Sequence, residues 1–305
     1  MIPRTRAGVV IACVSLVLAL AACKPVIPVP VPPGTLPPVP SGWPKSFQLG
    51  TADGPGGAAA MARVAPFGFR YQYLAGGVNT GNGWATWNAN GDFPTFYIAD
   101  SRAAGIIPVF TYYQLLQSSP GSSQSGSDGV ITNLNNAGTM TAYYNDLKLF
   151  FQKAAAAGGT TVLHLEPDLW SFLEQKATND DATTVPAKVG SSLQTDVAGL
   201  PDNVSGFARA IVRLRNRYAP NVVLGYHFAS WGTGTDVLYS DPPDATVTSL
   251  GMRTAKFEQS LGARFDIAFT DLSDRDAAFK QFVYGDGGAS WYTADDYRRS
   301  TLLSW

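Results

Sequence analysis

The chain has 305 residues, a formal net charge of −1, 12% aromatic residues and only 15% charged residues. This length allows one large domain or two small ones, and the apolar content is sufficient for a sizeable core. The sequence contains no basic run and no phosphate-binding glycine motif. These properties exclude an ordinary nucleic-acid-binding protein.

The first residues have the features of an export signal. Two arginines precede an apolar run from Val9 to Leu20, which is too short for a membrane span. The next residues, Leu20-Ala-Ala-Cys23, resemble the lipobox of bacterial lipoproteins. That resemblance implies a signal peptide over residues 1–22, lipidation of Cys23, and a protein exported and anchored to the cell envelope, at the outer membrane or the cell surface. An ordinary secretory signal cleaved nearby is the alternative.

Residues 23–45 are predicted to be a linker, because nine prolines lie between residues 24 and 44. Such a segment favours the polyproline II conformation, which rises ~3.1 Å per residue. The linker would hold the folded part, residues 46–305, away from the membrane. After cleavage one cysteine remains, so the mature chain forms no internal disulfide.

From residue 46 the pattern alternates between strands and helices. We predict six strands, at Ser46–Thr51, Phe69–Ala75, Ile106–Tyr113, Thr161 to the stop at Pro167, Asn221–Phe228 and Phe265–Phe269. We predict helices at 54–65 after a loop, at 93–104, at Thr139–Ala157, within a long loop and helix over 171–218, at 248–261, and from 294 onwards. The Ser/Gly-rich residues 117–130 are predicted to form a mobile loop.

Strands that alternate with helices indicate parallel βαβ units and an α/β fold. We expect a (β/α)8 barrel of the TIM type, of which six units are visible and eight are needed. The barrel is therefore either open and incomplete or truncated. The apolar ending at residues 302–305 favours truncation.

Two carboxyl groups follow the fourth predicted strand, in the run Thr161-Val-Leu-His-Leu-Glu-Pro-Asp-Leu-Trp170. Because side chains alternate along a strand, we expect His164 and Glu166 to share one face. Active sites of parallel barrels form at the carboxyl ends of the strands, so Glu166 and Asp168 are candidates for acid/base catalysis on a sugar. Alternation does not decide which of them acts, because Pro167 bends the strand end.

Aromatic residues are concentrated in the loops that follow the predicted strands. Their flat faces could pack against sugar rings, although each one alone could equally be a core residue. The candidate substrate-binding aromatic residues are Trp84, Trp87, Tyr112, Trp170, Trp231 and Trp291.

Both histidines of the chain lie on predicted strands at equivalent depth, His164 on the fourth and His227 on the fifth. We assign them to substrate binding through hydrogen bonds, with packed core histidines as the alternative. The spacing of His and Cys offers no metal motif, so we predict neither a metal nor a cofactor. Asp271, after the sixth strand, is the best visible partner for the acid.

The run from Glu166 to Asp168 resembles glycoside hydrolase family 6, in which an Ile-Glu-Pro-Asp-Ser-Leu segment carries the catalytic acid on its aspartate. Residues Gly105 to Tyr113 resemble the preceding strand of that family, and Gly225 to Trp231 resemble a later strand with a histidine. The resemblance implies that Asp168 is the acid. The family's Asp-Arg-Asp motif belongs after the third strand, where this chain has Gln114 to Ser118.

The chain also resembles the retaining clan of (β/α)8 glycosidases, in which the acid/base glutamate ends the fourth strand. This second resemblance implies that Glu166 is the acid. The nucleophile of that clan ends a seventh strand, beyond the six that are predicted here.

The sequence therefore predicts a monomeric, surface-anchored glycoside hydrolase that acts on a polysaccharide or oligosaccharide. The first alternative is a lipoprotein on the same fold that binds carbohydrate without catalysis. The second is a structural surface protein.

Overall fold

The computed structural model of the chain describes residues 39–272 and 275–304. The predicted signal peptide, the predicted lipidation site Cys23 and most of the predicted linker lie outside the described residues. Within the described part, no helix is long and apolar enough to cross a bilayer.

Six strands form one sheet in which all neighbours are parallel and the spatial order follows the chain order. The strands are β1 (Gly50–Ala52), β2 (Phe69–Leu74), β3 (Ile107–Tyr112), β4 (Thr161–Leu165), β5 (Val222–Phe228) and β6 (Ile267–Thr270). The sheet curls into a half-barrel. The predicted α/β class and its six parallel strands are thus confirmed, and β1 is shorter than predicted.

Nine α-helices occur within the described residues. They are α1 (Ala58–Val64), α2 (Phe93–Ala103), α3 (Gly126–Leu134), α4 (Ala137–Ala157), α5 (Leu169–Lys176), α6 (Val204–Tyr218), α7 (Asp244–Ser260), α8 (Arg275–Phe279) and α9 (Ala294–Ser304). Each parallel crossover from β1 to β6 contains at least one of them, as parallel connections require.

Residues 117–130 do not form the loop that their composition predicted. A 3-10 turn occupies Gly121–Ser123, and α3 begins at Gly126. The Asn133 side chain donates to the carbonyl oxygens of Leu115 and Ser118, and it accepts from the Gly121 N–H. These distant bonds stabilise a segment whose local sequence favours a loop, and local patterns do not reveal them.

The ends of the long helix α4 show why its boundaries could be predicted. The Asn136 side chain accepts from the Thr139 N–H at 2.9 Å, which satisfies a free donor of the first turn. At the other end, Gly158 adopts φ +67°, a conformation that glycine takes at little cost.

The two faces of the sheet have different coverings. On β3 and β4, residues Phe110, Tyr112, Leu163 and Leu165 point outward and join one large apolar core with the helices. The alternate residues point to the inner, concave face, as period-two alternation requires. The helices therefore cover the convex face, and the concave face has a separate, smaller apolar floor.

That floor consists of Val109, Val162 and Val223, one from each of the three central strands. Trp43 packs against it, with its ring centroid 5.2 Å from that of Phe69. Trp43 falls within the predicted linker, so the folded part includes residues that the sequence assigned to the linker.

A buried arginine holds the short edge strand β1 to its neighbours. Arg70, on β2, has a fully buried side chain that forms ion pairs with Asp53 at 3.1 Å and Asp100 at 2.5 Å. The guanidinium also donates to the Gly54 carbonyl and lies 4.1 Å from the centroid of the Tyr97 ring. Burying a charge is costly unless it is paired, and Arg70 has two carboxylates and an aromatic face.

Gly225 on β5 is required by close packing on the concave face. A Cβ added at this position would lie 2.2 Å from an atom of the Phe269 ring, a distance that no real contact reaches. The missing side chain lets Phe269, on β6, lie flat against the sheet, where it stacks on the ring of His164 at 4.1 Å.

We expect Gly225→Ala to destabilise the protein by about 1–3 kcal/mol, because the methyl group displaces the Phe269 ring. Urea unfolding measures this change. Gly54→Ala is the matched control, because Gly54 is exposed and an added Cβ meets nothing within 4 Å. Equal effects of the two substitutions would contradict the packing role.

Candidate functional site

A cleft of about 660 Å³ opens on the concave face of the sheet. Its lining comes from all six strands and includes Tyr71, Tyr73, Thr111, His164, His227 and Phe269. The volume lies within the range of about 300–1,000 Å³ that is usual for ligand sites.

The two histidines meet in this cleft. His164 Nε2 lies 2.9 Å from His227 Nδ1, and His164 Nδ1 lies 3.3 Å from Thr111 Oγ1. The strand register places His164 opposite Gly225, so His227 lies two residues further along its strand. The prediction of equivalent depth is therefore wrong, and the rings meet diagonally across neighbouring strands.

Both histidines are held in their neutral form. Burial and, to a smaller extent, the neighbouring His227 lower the pKa of His164 to about 3. Burial also lowers the pKa of His227, while the carboxylates Asp271 and Asp168 act in the opposite direction. A neutral imidazole carries one N–H donor and one acceptor nitrogen, so each ring can both give and receive a hydrogen bond.

Asp168 lies next to Pro167, which lines the cleft, and its carboxylate accepts a hydrogen bond from the Tyr113 hydroxyl at 2.7 Å. Burial and the Asp168 carboxylate together raise the pKa of Tyr113, so the phenol keeps its proton and remains the donor. Asp168 is half-buried, directly before α5. Asp168 and Tyr113 are not part of the cleft lining, but the Asp168 carboxylate acts on the pKa of His227, so it lies next to the cleft.

Three tyrosines form a row beside Asp168. The ring centroids of Tyr71 and Tyr73 are 6.1 Å apart, and those of Tyr73 and Tyr113 are 6.4 Å apart. Tyr71 is 38% exposed and Tyr73 is 44% exposed, so their rings remain accessible to a ligand. The row therefore offers flat apolar surface together with hydroxyl groups.

Glu166 does not share a face with His164, which corrects the expectation from alternation. Its backbone adopts φ +44°, and this left-handed turn ends the period-two pattern of the strand. The carboxyl accepts hydrogen bonds from the N–H groups of Gln114 and Leu115. Burial, and then the Glu166 carboxyl, raise the pKa of Tyr143 on α4, which places Glu166 on the side of the helices.

Three predicted sugar-binding aromatic residues are core residues. Trp84, Tyr112 and Trp170 are all 0% exposed. Trp84 Nε1 and the Tyr112 hydroxyl both donate to Asp146, and Trp170 Nε1 donates to the Leu165 carbonyl. Each polar atom has a protein partner in the core, so these side chains cannot reach a ligand in the cleft.

Three further aromatic candidates are accessible but do not line the cleft. Trp87 is 43% exposed and packs against Phe93 at 5.0 Å. Trp231 packs against Phe172 at 5.2 Å, and Trp291 is 41% exposed. The predicted aromatic residues are thus not assembled into one binding surface.

Asp271 is exposed and lines the cleft just after β6. It therefore lies on the same side of the sheet as Asp168, as expected from its position after a strand. Within the described residues, no group of three or more His, Cys, Asp or Glu side chains could hold a metal ion.

Tyr71, Tyr73 and Thr111 line the cleft but are not among the predicted site residues. A signal was available in the segment Phe69-Arg-Tyr-Gln-Tyr, where every second residue is aromatic and so faces the same side of β2. The predicted candidates were mostly tryptophans in loops, whereas the tyrosines of the cleft lie on this strand.

No protein-family model matches the chain, and no curated protein sequence matches it closely enough to count as a relative.

Burial raises the pKa of Glu166 from its ordinary value of 4.5 to about 8. Between these two values the folded state keeps a proton that the unfolded chain loses, so the stability from this proton is complete at low pH and is lost as the pH rises. We expect Glu166→Gln to flatten the fall in unfolding free energy across this range, by up to about 1.4 kcal/mol per pH unit. Denaturant unfolding at several pH values measures the slope.

Glu174→Gln is the matched control, because burial raises the pKa of that buried carboxyl to about 7. In Glu174→Gln, the pH range over which the slope of the unfolding free energy is flattened should end near pH 7. In Glu166→Gln, that range should extend to about pH 8. An unchanged slope in Glu166→Gln would show that Glu166 is ionised in the folded protein.

Proposed function

We propose that this protein is a glycoside hydrolase that acts on a polysaccharide, with Asp168 as the acid that protonates the leaving glycosidic oxygen. The observation that supports it most is the bond from the Tyr113 hydroxyl to Asp168 next to an aromatic cleft. This bond fixes one carboxylate oxygen and leaves the other oxygen for a substrate. The family 6 resemblance of the segment from Glu166 to Asp168 assigns the same role to the same residue.

The tyrosine row supports binding of a sugar chain in the cleft. Sugar rings have apolar faces that pack on aromatic rings and hydroxyl edges that need hydrogen-bond partners. Tyr71, Tyr73 and Tyr113 supply both kinds of surface, and the histidine pair adds polar groups below them. A polysaccharide would lie across the exposed rings with one glycosidic bond near Asp168.

The architecture supports the same reading. Parallel strands whose spatial order follows the chain order, with helices outside, are consistent with an incomplete barrel of the (β/α)8 type. In such barrels the site lies at the carboxyl ends of the strands, where Asp168 and Asp271 lie in this chain.

The proposed cellular setting is the bacterial envelope. Cys23 would carry the lipid, and the proline-rich segment after it would extend the catalytic part away from the membrane. An enzyme tethered in this way acts on polymers that are too large to enter the cell.

The second candidate function is a lipoprotein that binds carbohydrate without cleaving it. It is favoured by the position of Glu166, which lies on the helix side of the sheet and leaves Asp168 without its neighbouring carboxylate. The two functions differ in what the loss of Asp168 does, since a binder needs no acid.

We expect Asp168→Asn to lower sugar release from polysaccharides by about 10²–10⁴-fold, the usual contribution of a general acid. The measurement is the appearance of reducing ends from glucan, mannan, xylan and chitin. Retention on the polysaccharide that the wild type cleaves should persist, because the asparagine amide still accepts the Tyr113 hydrogen bond.

Glu166→Gln is the control, because its side chain does not reach the cleft. It should keep sugar release, whereas the reverse pattern would transfer the acid role to Glu166. Retention of one polysaccharide without release by the wild type would establish the binder.

We expect Tyr73→Ala to weaken retention on that polysaccharide by about tenfold, because the variant loses a stacking surface. Affinity electrophoresis in a gel that contains the polymer measures the change. Trp231→Ala is the matched control, since Trp231 packs against Phe172 outside the cleft lining. Equal losses in both variants would argue against the tyrosine row.

A further inference from the structure

The histidine pair is the part of the cleft that the proposed acid does not use. His164 and His227 are joined by a nitrogen-to-nitrogen distance of 2.9 Å, and their rings are nearly parallel at 26°. Phe269 stacks on a ring face of His164, in the space that Gly225 leaves. Buried polar rings need hydrogen-bond partners, and the contact between the two histidines supplies one to each ring.

The contact restricts where the protons can be. Because both rings are neutral, one proton lies between His164 Nε2 and His227 Nδ1, and a ring that donates there must accept at its other nitrogen. In one arrangement, His227 Nδ1 donates to His164, and His164 Nδ1 then donates to Thr111 Oγ1. In that arrangement His227 Nε2 carries a free electron pair.

His227 Nε2 is the nitrogen on the far side of the ring from His164, and His227 lines the cleft. The titratable groups that face this ring are His164 on β4, Asp168 at the β4–α5 turn and Asp271 after β6. The two carboxylates favour a positive charge on His227. The ring can therefore accept a proton at Nε2 during a reaction, although burial keeps it neutral at rest.

We propose that His227 is the base that activates the attacking water, so that the cleft hydrolyses its substrate by a single displacement with inversion. This proposal rests on the proposed function and adds the second catalytic group to it. Inverting glycosidases need an acid on one side of the glycosidic bond and a base on the other. The carboxylate that usually serves as base is replaced by a neutral imidazole.

The proton and bond changes balance in one step. Water gives a proton to His227 Nε2 while its oxygen forms a bond to the anomeric carbon. The bond from that carbon to the glycosidic oxygen breaks, and Asp168 gives its proton to the leaving oxygen. The site ends with a carboxylate at Asp168 and one positive charge on the histidine pair. Solvent then takes the proton from His227 and returns a proton to Asp168, which restores the resting site.

His164 is a positioning residue in this scheme, because it acts on the attacking water through His227. Its Nε2 accepts the His227 Nδ1 proton and so keeps the electron pair at Nε2, on the side of the water. Thr111 and Phe269 hold His164 in the orientation that this requires.

Glycosyl fluorides separate the base from the acid, because fluoride leaves without protonation while water still needs a base. The substrates are the two anomeric fluorides of the sugar whose polymer the wild type cleaves. We expect Asp168→Asn to hydrolyse one fluoride well and His227→Asn to lose about 10²–10⁴-fold on both fluoride and polymer. Asparagine retains a hydrogen-bonding atom near the position of Nδ1 but provides no base.

Three further readouts follow from the same scheme. Azide needs no deprotonation, so it should restore turnover in His227→Ala and give a glycosyl azide of inverted configuration. The first sugar released by the wild type should be the inverted anomer, observed by proton NMR.

His164→Phe should lower kcat with little change in KM, and His164→Gln, which restores an acceptor, should recover most of the loss.

The outcomes separate the two proposals. A wild type that releases no sugar from any polymer overturns the proposed function and the base with it. An active wild type whose His227→Asn variant keeps full activity on the fluoride overturns the base alone, as does retention of configuration in the product. Nitrogen NMR of the histidine rings in the wild type checks the scheme without a substitution. The scheme requires the proton of His227 on Nδ1 at neutral pH, and a proton on Nε2 instead would overturn the base.

Discussion

The cleft depends on an uneven covering of the parallel sheet, because the helices of the described residues pack on its convex face. Parallel sheets are usually buried on both faces, and their strands are apolar throughout. Here the curl of the sheet turns one face inward, and a thin apolar floor with Trp43 covers its lower part. The upper part of the same face carries polar side chains, and no helix within residues 39–272 and 275–304 covers it.

This arrangement separates two carboxyl groups that are close in sequence, Glu166 and Asp168. Glu166 turns to the helix side, where burial keeps it protonated, and Asp168 turns to the cleft. The left-handed backbone of Glu166 makes the change of direction, and Pro167 fixes it. A single residue, Pro167, therefore lies between a carboxyl group that is buried in the core and a carboxyl group that can meet a substrate.

The order and type of the elements were predictable from the sequence, and several contacts of the cleft were not. Strands β3 to β5 have strong apolar patterns, and helix α4 has a capping residue at each end. The positions of these elements were therefore predicted closely. The segment before α3 was wrong because its stability comes from the distant bonds of Asn133. Alternation predicted correctly only as far as Leu165, where the period-two backbone ends.

The candidate site shows the same division. His164 and His227 were selected because polar residues are conspicuous on apolar strands, and Asp168 was selected because it follows the end of such a strand. Trp84 and Trp170 were misassigned because the partners of their indole N–H groups, Asp146 and the Leu165 carbonyl, become neighbours only in the folded chain. The sequence places an aromatic residue relative to its own strand and not relative to the rest of the core.

The shortness of the two outer strands has a consequence for association between molecules. Within the described residues, β1 and β6 end the sheet on either side, with three and four residues. A long outer strand offers its unpaired N–H and C=O groups as a template for a strand of another molecule. Strands of this length offer too few such groups to hold an incoming strand in register. The half-barrel can therefore remain open at the sides while resisting the edge-to-edge stacking that leads to aggregation.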